Sequence, residues 1–404
     1  MMGWIAASLF GMALTVAVLV AQDRRRPPSA ARAEAPPAWD ERFRAHLDLK
    51  QAEIEGKRWV APLGGFGKAE LTLDLPLQEH LDRELRRYEV PFASVVALDP
   101  RSGRVLAYLT HSSANPDAGD LALDATPPAA SVFKVITGSA LIDAGVLPSS
   151  QVCYSGGQHR LDPANLVDHP GKDRSCASLS DAMGGSINAI FAKLALRHLN
   201  PEKLTHYAKA FGFGRELPFD LRPATSPVDI PSEKLEYARA AAGFWHSHMS
   251  PLHGALIAAT IANEGKMPRP FLVERVRSPE GKELYRARPS SLGSVVSPRT
   301  ARLVGEMMTA TITRGTSRSY FYDSRGNPFL PKVEVAGKTG SLSSHDPFRA
   351  YSWWVGFAPL KAPRLAIGAL VVNTDKWRIK ASYLGREALR KHLLPQALAK
   401  KAKR

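Results

Sequence analysis

Residues 1–21 carry no charged side chain, and the apolar run they form is long enough to cross a bilayer. Asp23 and then Arg24, Arg25 and Arg26 end it sharply, so residues 1–22 are expected to form a transmembrane signal anchor. Residues 24–37 are rich in Pro, Ala and Arg and read as an extended linker, followed over residues 39–59 by a charged, weakly helical arm. Residues 23–68 thus make a linker and short arm, and the compact domain is expected over residues 69–395.

Inside that domain the period of the apolar positions changes twice. A charged amphipathic helix is predicted over residues 77–88. Two short strands follow over 93–98 and 104–110, joined by Asp99-Pro100-Arg101-Ser102-Gly103, whose Asp, Pro and Gly suit a hairpin turn. Pro127 and Pro128 break the chain, after which Val132, Phe133, Val135, Ile136, Ala140 and Leu141 recur at helical spacing until Gly145. Residues 146–256 read as mostly helical with long loops. There Gly184-Gly185 is expected to interrupt a helix over 180–198, and Asn200 with Pro201 to start the next. Strands return with Val333 and Val335 and then over 351–358 and 365–372, before a closing amphipathic helix over 386–398. The predicted class is α/β in the α+β sense: an antiparallel sheet flanked by helices, with a mostly helical inserted lobe.

Charge and cysteine content narrow the setting. The chain has 404 residues with 54 Lys and Arg against 38 Asp and Glu, a formal net charge of +16. That surplus suits an anionic membrane face or an acidic polymer, and no zinc spacing, helix-turn-helix signal or aromatic-basic motif points to nucleic acid. The basic tail, residues 396–404, reads as a solvated helix end. Cys153 and Cys176, the only two cysteines, are expected to pair outside the cytoplasm, contributing about 3 kcal/mol in the chain-entropy model. Two thiols without C-x-x-C spacing argue against a metal, and His246 and His248, which flank Ser247, lack a third ligand. No cofactor is expected.

The candidate chemistry begins at Ser131. Positions three apart share a helix face, so Lys134 lies beside Ser131 one turn on. A serine hydroxyl is a weak nucleophile until a base takes its proton, and a lysine of lowered pKa serves as such a base. Alone, the pair fits a capping serine and a surface lysine more readily than a catalytic pair. Downstream, however, stand Ser186-Ile187-Asn188 and Lys338-Thr339-Gly340.

In the order S-x-x-K, S-x-N, K-T-G these residues resemble the penicillin-binding proteins and serine β-lactamases. The segments 211–214, 249–255 and 261–265 look like the same family, and the resemblance covers residues 69–395. It implies that Ser131 attacks the carbonyl of a D-Ala-D-Ala stem peptide or a β-lactam, with Lys134 as base. Ser186 would relay a proton to the leaving amine, Asn188 would hydrogen-bond the substrate amide and Lys134, and Lys338 with Thr339 would hold the terminal carboxylate. Gly337 and Gly340 would leave the strand edge bare for substrate, and the N–H groups of Ser131 and Ser341 would form the oxyanion hole. Ser341 departs from the family's more usual Thr but keeps a hydroxyl.

The resemblance further implies a D,D-transpeptidase that cross-links peptidoglycan and is acylated by β-lactams, tethered to the bacterial inner membrane with its catalytic domain on the periplasmic side. Its alternatives are a D,D-carboxypeptidase, a serine β-lactamase, or a binder without catalysis. No clear acidic motif for activating deacylating water is present. The stretch before residue 69 leaves no room for a glycosyltransferase, which would have to be a partner. Arg24–Arg26 lie after the apolar span, against the positive-inside rule for such a topology; either the rule fails here or the chain starts upstream of Met1.

Overall fold

The computed structural model describes Trp39 and residues 41–394. The expected anchor over 1–22 and the basic tail over 396–404 lie outside the described residues. Among the described residues no helix is long and apolar enough to cross a membrane.

The centre is a five-stranded antiparallel sheet in the order Ala336–His345, Phe348–Ala358, Leu365–Asn373, Phe92–Leu98, Val105–His111. A three-stranded meander and a hairpin far apart in sequence thus form one sheet, with Leu365–Asn373 pairing against Phe92–Leu98. Every residue of Leu365–Asn373 is buried, as a strand covered on both faces must be. One face carries the helix Pro251–Ala262, which lies close because Gly368 has no side chain: a Cβ there would sit 2.2 Å from the Pro251 carbonyl oxygen. The helices Leu75–Arg87 and Ala381–Leu393 pack with the opposite face, where a Cβ on Gly385 would stand 2.3 Å from the Trp354 ring. Trp353 points the other way, its indole N–H donating to the Pro128 carbonyl at 2.8 Å. The K-T-G strand, Ala336–His345, is the sheet's edge.

The short arm expected up to residue 68 carries regular structure over residues 41–68 and pairs with the strand Val273–Arg277. These residues form a helix, Glu41–His46, and a hairpin, Glu53–Glu55 with Arg58–Pro62. Arg58–Pro62 pairs with Lys68–Leu71, which pairs in turn with Val273–Arg277, and Trp39, Phe43, Phe66 and Tyr285 cluster there. Strands of three to five residues offer too little length for a period to appear in the sequence.

The helix break also falls elsewhere. Leu179–Gly185 contains both glycines, and the chain turns only at Ser186, which adopts the left-handed conformation with φ 56°. Gly184 serves contact instead: a Cβ there would meet the Ala310 Cβ at 2.7 Å, on the neighbouring helix Pro298–Thr313. The closing helix spans Ala381–Leu393, several residues earlier than its amphipathic pattern suggested.

Candidate active site

Ser131 sits in a 3-10 turn, Ala130–Phe133, that runs directly into the helix Lys134–Asp143. The turn is fixed from both sides. The Ala129 N–H donates to the Ser247 carbonyl at 2.8 Å, and Ala130 is held at φ 50°, a region uncommon for a residue with a Cβ. A Cβ on Gly243 would lie 2.3 Å from the Ala130 carbonyl oxygen, and one on Gly340 3.1 Å from the Ala130 Cβ. Gly340 therefore backs onto the nucleophile's turn and is not among the residues that line the cleft. Gly337 likewise makes room for the Trp354 indole, whose atoms begin 2.9 Å from where a Cβ would be. Both glycines thus serve packing, on a strand whose outer edge pairs with no other strand among the described residues.

Lys134 is fully buried. Its Nζ meets Ser131 Oγ at 2.8 Å, Asn188 Oδ1 at 2.6 Å and the Ala242 carbonyl oxygen. The last two only accept, so they take two N–H bonds. A neutral amine has two N–H groups and one lone pair, and with those bonds made the lone pair is left for the Ser131 hydroxyl. Burial lowers the Lys134 pKa well below its ordinary value, and the charge of Lys338 acts in the same direction.

The second half of the site forms at the left-handed turn of Ser186. Lys338 Nζ donates to Ser186 Oγ at 2.9 Å and to the Thr339 carbonyl at 2.8 Å. Lys338 too is fully buried, and desolvation brings its pKa down to about 7. Asn188 opens the next helix, Asn188–His198; while its Oδ1 holds Lys134, its Nδ2 donates to the Gln158 carbonyl at 2.7 Å. Gln158 belongs to the loop following Gln151–Tyr154, the strand that Cys153 ties to Cys176 by a disulfide. The same helix anchors that hairpin through Lys193, whose Nζ reaches the Cys153 carbonyl at 2.9 Å and Asp173 Oδ2 at 2.6 Å.

These elements enclose a cavity of about 500 Å³. Ser131, Ser186, Asn188, Thr316, Thr339 and Ser341 line one part, Tyr154, Gln158 and His159 another, and Ser352, Lys380 and Ser382 its remaining wall. Thr316 escaped the sequence reading, although its Oγ1 lies 2.6 Å from the Thr339 Oγ1. It is brought there because Gly315 presses onto the previous layer, where a Cβ would stand 2.1 Å from the Gly184 carbonyl oxygen. Lys380, Ser352 and Ser382 were also missed, since nothing local marks them. His246 pairs with Glu236 at 2.9 Å, and among the described residues no cluster of His, Cys, Asp and Glu could hold a metal ion.

A buried lysine poised on a serine, with a second serine–lysine pair across one cleft, defines an acyl-serine site on this sheet. The chain belongs to the penicillin binding protein transpeptidase domain family, whose model matches residues 93–390. Among its relatives is the peptidoglycan D,D-transpeptidase PbpA of Mycolicibacterium smegmatis, 28% identical over 310 residues that cover 69% of this chain and 61% of that protein. PbpA of Mycobacterium tuberculosis is also 28% identical, over 69% of this chain and 62% of its own. The chain thus spans about three fifths of the length of these curated relatives. The crystal structure of PBPA from Mycobacterium tuberculosis superposes with a TM-score of 0.68 at 25% identity, covering 81% of this chain and 82% of that one. An imipenem acyl-enzyme complex of penicillin-binding protein A from the same organism gives 0.67 at 26% identity, over 81% and 79% of the two chains.

Proposed function

We propose that the protein is a peptidoglycan D,D-transpeptidase that cross-links stem peptides through an acyl-serine intermediate and is acylated by β-lactams. The observation that carries this reading is the triple contact of Lys134 Nζ with Ser131 Oγ, Asn188 Oδ1 and the Ala242 carbonyl. Lys134, held neutral, takes the Ser131 proton as Oγ attacks the carbonyl carbon of the penultimate D-Ala. The developing oxyanion falls to the Ser131 and Ser341 N–H groups, of a kind that supplies about 3 kcal/mol per donor. Ser186, hydrogen-bonded to Lys338, passes a proton to the departing D-Ala amine. An acceptor amine then attacks the ester, returns its proton through the same groups and frees Ser131. Among the described residues no carboxylate lines the cavity to activate water, which favours a long-lived acyl-enzyme over hydrolysis.

On this reading the domain works on the periplasmic face of the inner membrane, tethered through residues 1–22, and a partner glycosyltransferase supplies the glycan strands. The Cys153–Cys176 disulfide supports a setting outside the cytoplasm. The test is to incubate the protein with a stem pentapeptide and a labelled D-amino acid. Label exchanged into the terminal position, lost in Ser131→Ala, supports the transpeptidase; D-Ala release without exchange would make it a carboxypeptidase.

A further inference from the structure

Among the described residues, those lining the Ser131 cavity are mainly hydroxyls and amides, with no Asp or Glu and with Lys380 as the only Lys or Arg. Lys338 is a poor source of charge for an incoming ligand: it is fully buried, and its Nζ is engaged by Ser186 Oγ and the Thr339 carbonyl. Lys380 is exposed at the head of the helix Ala381–Leu393, with its Nζ 5.5 Å from the centroid of the Trp377 ring, itself 51% exposed. Hydroxyls lead from there toward the nucleophile. Ser352 accepts from the Ala381 N–H at 3.2 Å, Ser341 is its cross-strand partner, and Thr339 follows two residues back on the same face.

We propose that Lys380 is a specificity residue for anionic ligands: its ammonium draws the carboxylate of the stem peptide or β-lactam into the cavity, and the hydroxyls of Ser341, Thr339 and Thr316 receive it. The proposal rests on the acyl-serine reading and adds the source of the charge selection. A solvent-facing cation at a cleft acts on association more than on the bonds made afterwards, and its effect is screened by salt.

The test compares benzylpenicillin with its uncharged methyl ester, which keeps the reacting ring. Second-order acylation rates are measured by intact mass for the parent, Lys380→Gln, Lys380→Glu and Lys380→Arg, with thermal unfolding as a check on the exposed substitutions. Lys380→Gln should lower the rate with the acid about tenfold, Lys380→Glu should lower it further, and Lys380→Arg should restore it. The preference for acid over ester should narrow by the same factor. Raising salt from about 0.05 to 0.5 M should slow the parent with the acid but leave Lys380→Gln nearly unchanged. An unchanged rate with the acid, or an equal loss on acid and ester, would overturn the proposal. A parent that neither compound acylates would overturn the acyl-serine reading itself, and this assignment with it.

Discussion

Asn188 Oδ1 stands 2.6 Å from Lys134 Nζ, joining two motifs 54 residues apart, while its Nδ2 holds the Gln158 carbonyl. The side chain therefore fixes the direction of the lysine's N–H bonds and the position of the cavity's loop at once. Asn188→Asp would place a carboxylate beside Lys134, favour its charged form and raise its pKa. Acylation needs the neutral amine, so its acid limb should move to higher pH. The check is a pH profile of benzylpenicillin acylation; an unshifted limb would remove Lys134 from the role of base.

Gly184→Ala should act at a distance. The added methyl meets Ala310 at 2.7 Å and must push apart the helices Leu179–Gly185 and Pro298–Thr313, next to the turn that aims Ser186. Overpacking of this kind costs about 1–3 kcal/mol. Denaturant unfolding should show that loss, and acylation should slow because the Ser186–Lys338 contact is displaced. Gly145→Ala gives a contrast: it has open space but a φ of 89°, so it should lose stability without slowing acylation.

Removing the disulfide should loosen one wall of the cavity. Cys153 and Cys176 are 23 residues apart, and closing a loop of that length contributes about 3 kcal/mol in the chain-entropy model. Cys153→Ser with Cys176→Ser should lower the melting temperature, and hydrogen exchange should rise around Tyr154 and Gln158. A melting temperature equal to the parent's would mean that Lys193, with its bonds to Cys153 and Asp173, holds the hairpin unaided.

Lys338 carries a stability signature. Its pKa falls from 10.5 to about 7 on folding, so between those values the unfolded chain binds a proton that the fold does not. Stability should therefore rise with pH through that window, with Lys134 adding in the same direction. Below pH 7 the Lys338 penalty is constant. Asp220, raised to about 6, titrates beneath this range. Unfolding free energies at pH 7 and 9 for the parent and Lys338→Met provide the measurement; the slope should be shallower in the variant.

The three motifs were legible because each is short and its chemistry fixes residue type and spacing at once. Regular elements with strong edges were legible as well: Asn200 and Pro201 head the helix Pro201–Ala210, and the turn after Asp99 joins two strands as expected. What the sequence hid depends on contacts between distant segments. Thr316 reaches Thr339 where Gly315, lacking a Cβ, lies against the Gly184 carbonyl. The packing of Gly337 and Gly340 against Trp354 and Ala130 likewise depends on segments distant in sequence. The hairpin Glu53–Glu55 with Arg58–Pro62 has almost no core of its own and is defined by the strand it joins. Lys380 lies in a segment without a motif and gains meaning only from the cavity it lines.

Transpeptidation requires that Ser131 become acylated and stay so long enough for an amine to arrive. Intact mass after incubation with benzylpenicillin, followed over hours for the parent and Ser131→Ala, tests it most directly. A lasting adduct of one penicillin is expected on the parent and none on the variant. The absence of an adduct on the parent, or an equal adduct on both proteins, would contradict it.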